Sequence, residues 1–273
     1  MTRSRIAYIS TMAGEMDVWT MAPDGSDRRN LTCTPQWEED HPAWSSDGMI
    51  AFCSRRHGKG EIYLMDAEGG SLTRITENDF PDLRPHFSWD GQKILFASDR
   101  IGQADIHVMD RDGANQHPLS NHPSFEVESA YAPDGSRILF TTDRDGYRRL
   151  YVMNPDGSDQ RPLTETDPGA DDPAYSADGQ WLACTSQRDG ETDGENAIYI
   201  MQADGTQARR LTPEGLISFQ ASFSPDASQL VFTAQVNGKP QLHRIDMDGS
   251  NLVNLSNHDA EDFAAHWGPE LPV

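Results

Sequence analysis

The sequence predicts an all-β fold built as a ring of six repeated four-stranded units. Two turn series and one negative observation carry that expectation. Acidic turns recur at Asp47, Asp90, Asp134, Asp178 and Asp226 with steps of 43, 44, 44 and 48, Gly following each except the last, where Ala227 stands. A second series, Asp24, Glu68, Asp112, Asp156, Asp204 and Asp248, interleaves with steps of 44, 44, 44, 48 and 44. Apolar residues alternate with period two between the turns, and no useful length of helical periodicity competes. Four strands every 44 residues or so is the signature of a six-bladed β-propeller.

The elements follow in order within each repeat. A first strand ends at an aromatic: Trp44, Phe87, Tyr131, Tyr175, Phe223 or Trp267. An SxDG-type turn leads to a second strand, as at Ile94-Leu95-Phe96. The third strand places Val18, Ile62, Ile106, Leu150, Ile198 and Leu242 at one equivalent position. Met21, Met65, Met109, Met153 and Met201, with Ile245 sixth, share another and read as core filling. A short fourth strand ends in Leu-Thr, as at Leu31-Thr32, Leu163-Thr164 and Leu211-Thr212. The chain starts at a second strand, Ile6 to Tyr8, and ends with an orphan first strand, Phe263 to Trp267. The C-terminal strand is therefore expected to complete the N-terminal blade and close the ring, which removes exposed sheet edges. The expected domain is single, 1–273, with blades at 6–32 plus 263–267, 41–76, 84–120, 128–164, 172–212 and 220–256.

Composition narrows the partners. Acidic residues outnumber basic ones 44 to 22, for a formal charge of −22. Nucleic-acid backbones and anionic membranes would repel such a chain, so neither is an expected partner. Cys33, Cys53 and Cys184 are too far apart for a disulfide framework or a CxxC motif. No apolar run approaches a membrane span, and the N-terminus has no apolar signal core. As written the chain is expected in the cytoplasm, or in the periplasm if an export signal was trimmed. A closed ring needs no second copy for stability, so a monomer is expected.

FSWDGQKILFASDRIGQADIHVMDRDG and YAPDGSRILFTTDRDGYRRLYVMNPDGSDQRPLT carry the repeat most fully. They resemble the TolB-type propeller repeat, roughly PxWSPDGxxIxFxSxRDGxxxIYxMxxDGxxxxxLT, and the resemblance covers about residues 6–267. It implies the fold. Similar propellers serve the periplasmic Tol–Pal protein TolB, prolyl-oligopeptidase-like enzymes and oligogalacturonate lyases, so the resemblance leaves function open between binding and catalysis.

Topology assigns the loops to faces. Both acidic turn series share one face; the loops leading into each first strand and the second-to-third loops share the other. The second set varies, and variable loops on a rigid scaffold are where binding concentrates. The sequence therefore points to a binding mouth of Trp37, Glu39, Asp40, His41, Arg84, Glu126, Glu128, Asp171, Asp172, Gln220 and Asp262. Carboxylates with interleaved aromatics suit a basic protein or peptide; equally, acids solvate loop tips while aromatics fill gaps between blades. His41, His86 and His266 near the channel form a candidate divalent-metal set, Ca or Mn, or are hydrogen-bonded structural histidines. Asp189, Glu191 and Asp193 alternate with other residues in a four-residue insertion, loosely as in calcium loops or as a solvated hairpin. The arginine series, Arg55 or Arg56, Arg100, Arg144 and Arg188, is expected to pair with Asp or Glu of an adjacent leading loop, or to clamp a substrate carboxylate. No catalytic motif such as GxSxG, HExxH or a P-loop is present. The expected function is a non-enzymatic binding module for a protein or peptide. The alternative is a metal-assisted, oligogalacturonate-lyase-like carbohydrate enzyme using the same face.

Overall fold

A computed structural model describes residues 2–164, 169–188 and 196–272. Six four-stranded antiparallel sheets form the ring. The inner strands are Glu39–Trp44, Asp82–Phe87, Glu126–Tyr131, Ala170–Tyr175, Ser218–Phe223 and Asp262–Trp267. The last pairs with Ile6–Ser10, Ile6 opposite Trp267 and Ala7 opposite His266, so the C-terminal strand closes the N-terminal blade. A second clasp pairs Thr2–Arg3 with Leu271–Pro272. Among the described residues no helix is long and apolar enough to cross a membrane.

Blades stack through apolar side chains. One second-strand position carries Tyr8, Phe52, Phe96, Phe140 and Phe232, all fully buried. Cys184 holds that position in the fifth blade, where burial pushes its thiol up to about 12, so it acts as a small apolar residue. Each core cluster joins neighbouring blades, as Ile9 and Val18 meet Trp44, Phe52 and Tyr63.

The repeat's polar signatures close the backbone. In the first turn series Ser45 and Ser88 donate to Asp47 and Asp90 at 2.6 Å, fixing a tight turn. The fourth strands, such as Arg29–Asn30 and Thr73–Arg74, stop short of the expected Leu-Thr, and the hydroxyl two residues beyond accepts from a third-strand amide fourteen residues earlier: Val18 to Thr32 at 3.0 Å, Ile62 to Thr76 and Ile106 to Ser120 at 2.9 Å. That bond explains the recurring Leu-Thr. The second turn series needs glycine for a further reason. A Cβ on Gly157 (φ 83°) would stand 2.2 Å from the Leu119 carbonyl oxygen of the preceding blade.

Candidate functional site

Every inner strand contains the same irregularity. Its register slips after the second residue, at a bulge occupied by His41, Arg84, Glu128, Asp172, Gln220 or Ala264. All six are left-handed, with φ between 47° and 55°. A non-glycine residue pays about 1–2 kcal/mol for that conformation, and each blade pays it at this bulge and again after its second turn, at Asp27, Ser71, Asn115, Asp159, Gln207 and Asn251.

The bulges bring five polar side chains together. Arg84 pairs with Glu128 and lies 3.6 Å from Asp172, two blades away. The Asp172 amide donates to Glu128 at 3.0 Å. Across the ring, His41 Nε2 meets Gln220 Nε2 at 3.4 Å, while His41 Nδ1 lies 2.9 Å from Asp40. Two of these contacts, Arg84 to Asp172 and His41 to Gln220, skip a blade, which is possible only near the axis. They form a polar plug across the channel. Burial, reinforced by the neighbouring Asp171 charge, raises Asp172 to about 6. Asp171 itself pairs with Arg148.

Glu39, Glu126 and Asp262 begin their inner strands and are fully buried. Arg56 meets Glu39 at 3.0 Å, Arg144 pairs with Glu126, and Arg28 and His258 reach Asp262 at 3.4 and 3.0 Å. Asp82 and Arg100 repeat the arrangement at 2.6 Å. The arginines at positions 56, 100 and 144 therefore tie each second-to-third loop to the start of its own blade. The carboxylates of Glu39, Glu126 and Asp262 already serve internal partners, while Trp37 is 41% exposed on the loop face.

The three channel histidines are not gathered into one ligand set among the described residues. Those residues hold one group with metal-ligand spacing, Glu128, Asp171 and Asp172, whose oxygens lie within 4.8 Å of one another. Two of these carboxylates already face Arg84 and Arg148. His266 accepts a hydrogen bond from the Trp44 amide on Nδ1 at 3.2 Å. Its neutral ring therefore carries hydrogen on Nε2 and offers no Nε2 lone pair to a cation. Asp189, Glu191 and Asp193 lie outside the described residues.

The plug separates two different mouths. On the loop face, Trp37, Phe80, Phe125 and Ile217 from the leading loops, with Met12, Ile101 and Tyr147 from second-to-third loops, are 38–50% exposed. On the turn face the channel widens into a cavity of about 370 Å³, walled by the strand-end aromatics and by His86 and His266. Those imidazoles pack edge to face, their centroids 5.9 Å apart. The sequence placed protein binding on the loop face and named His86 and His266 near the channel, but not the cavity they wall. The cavity escaped it because its wall residues read as strand ends, although two histidines among the small residues at that position were a visible signal.

The TolB β-propeller domain profile matches residues 1–122, 83–193 and 163–271. The Tol-Pal system protein TolB of Geobacter sulfurreducens is 45% identical over 47 residues, 17% of this chain and 11% of that protein's length. The crystal structure of TolB from Acinetobacter baumannii superposes with a TM-score of 0.86 at 25% identity, covering 97% of this chain and 67% of that one. An oligogalacturonate lyase in complex with manganese shares the fold, with a TM-score of 0.60 at 18% identity over 88% of this chain and 72% of that one.

Proposed function

Because the chain belongs to the TolB β-propeller family, we propose that it is a non-enzymatic module docking a protein or peptide on its loop face, the polar plug forming the floor of the site. One observation carries the reading: seven of the eleven exposed large apolar side chains among the described residues lie in loops of that face. Apolar side chains gathered on one face suit a partner surface better than open water. The relative assigned to a Tol-Pal system supports a protein partner and favours the periplasmic of the two expected locations. With a formal charge of −22, the partner segment is basic, and its association slows as salt rises.

Selection of displayed random peptides on the immobilised propeller tests this. Basic peptides with apolar residues should emerge, bind more weakly in higher salt, and lose binding to a Trp37→Ala, Phe80→Ala, Phe125→Ala variant. Peptides indifferent to both changes would refute the reading. The carboxylate trio favours a second reading, a metal-assisted enzyme acting on acidic sugars. A uronate polymer would, however, meet a strongly acidic protein, and Arg84 and Arg148 already neutralise part of the trio. Cleavage of uronate oligomers in the presence of Mn²⁺ or Ca²⁺ would establish it.

A further inference from the structure

The turn-face cavity is a built chamber with its own chemistry. Its volume of about 370 Å³ falls within the range of small-molecule sites, and its walls are mostly aromatic and aliphatic. Two imidazoles stand among the polar groups of that wall, which also include Ser129, Gln220 and Ser222. The Trp44 amide fixes His266 as an Nε2–H donor. His86 Nδ1 is buried without a partner; a buried lone pair costs less than a buried N–H, so this ring also carries its hydrogen on Nε2. Burial keeps both rings neutral, His86 at about 4 and His266 at about 3. The chamber thus offers paired neutral donors in an apolar surround.

The floor decides the ligand's charge. Glu128, Asp172 and Glu270 line the chamber and repel an anion, while Arg84, paired with Glu128, offsets one of these charges and leaves lost hydration as the barrier to a cation. Either ion would also lose its hydration in the apolar surround.

We propose that this chamber binds a small uncharged aromatic molecule whose carbonyl oxygen accepts hydrogen bonds from His86 and His266. The site lies across the plug from the loop face and stands independently of protein docking there. Trp44, Trp89 and Trp267 line it and report occupancy through their fluorescence.

Benzamide, benzoate and benzylamine share one ring and differ in charge, so the intact chain is titrated with each. Benzamide should give a saturable change in the millimolar range expected of a fragment, with both charged probes at least about tenfold weaker. His86→Leu removes one donor and should weaken benzamide about five- to tenfold. Ala174→Phe fills the chamber at a position where two other blades already hold an imidazole, and should abolish the signal. Unchanged thermal unfolding of both variants separates lost binding from lost fold. A non-saturable benzamide signal, equal response to the three probes, or full response in Ala174→Phe would overturn the proposal.

Discussion

The two faces of the disc come from the same six blades and obey different rules. On the turn face, serine–aspartate bonds fix the first turns, and in the second turns glycines such as Gly69, Gly113 and Gly157 are pressed against the preceding blade. On the loop face, glycines such as Gly146 have open space where a Cβ would stand, and apolar side chains reach into water. Repetition marks the side that holds blades together; variation marks the side free to meet a partner. The turn face nevertheless wraps a chamber, so constraint and binding are not exclusive.

Matched glycines within one blade give the largest contrast. Gly157→Ala should cost more than about 3 kcal/mol in urea unfolding, because φ is 83° and the Leu119 carbonyl blocks the methyl group. Gly146→Ala, with φ 88° and open space, should cost only about 1–2 kcal/mol of backbone strain. Equal losses would erase the distinction between the faces.

Buried pairs come next. Arg100→Met leaves Asp82, wholly buried, without its guanidinium, and should cost about 3 kcal/mol. Arg55→Met should change stability by less than about 1 kcal/mol, since Arg55 and Glu38 are exposed and 3.5 Å apart.

Acidity probes the plug against the chamber. His86 and His266, lowered to about 4 and 3, refuse protons that the unfolded chain accepts below its ordinary 6.5, so stability falls on acidification from there toward pH 4. Asp172, raised to about 6 from 3.8, acts oppositely: the folded chain retains a proton that the unfolded chain has released, and stability falls as pH rises between those values. Asp172→Asn removes the second effect. It should stabilise the protein by about 2–3 kcal/mol above pH 6 and steepen the acid loss, as read from urea midpoints across pH. An unchanged profile would place Asp172 in a more watery setting.

The smallest effect belongs to the loop face. Trp37→Ala, Phe80→Ala and Phe125→Ala should each shift stability by no more than about 0.5 kcal/mol, because these side chains contribute little to the core. Larger losses would make them blade-packing residues.

The ring and its closure were legible because turn residues repeat with a period that no helix imitates. The paired arginines were legible for the same reason. The bulge was not: His41, Arg84, Glu128, Asp172, Gln220 and Ala264 have no chemistry in common, and none is the glycine that usually marks a left-handed residue. Without the bulge, Glu39 and His41 look like members of one mouth. With it, Glu39 is sealed beneath Arg56 while His41 reaches the axis. The chamber depends on side chains from blades far apart in sequence, which no local pattern displays.

Amide hydrogen exchange of the propeller with and without a selected basic peptide tests loop-face docking most directly. Docking there predicts new protection in the loops around Trp37, Phe80 and Phe125, with the turns at Asp47, Asp90 and Asp134 unchanged. Protection confined to those turns would contradict it and move the protein-binding surface to the opposite face.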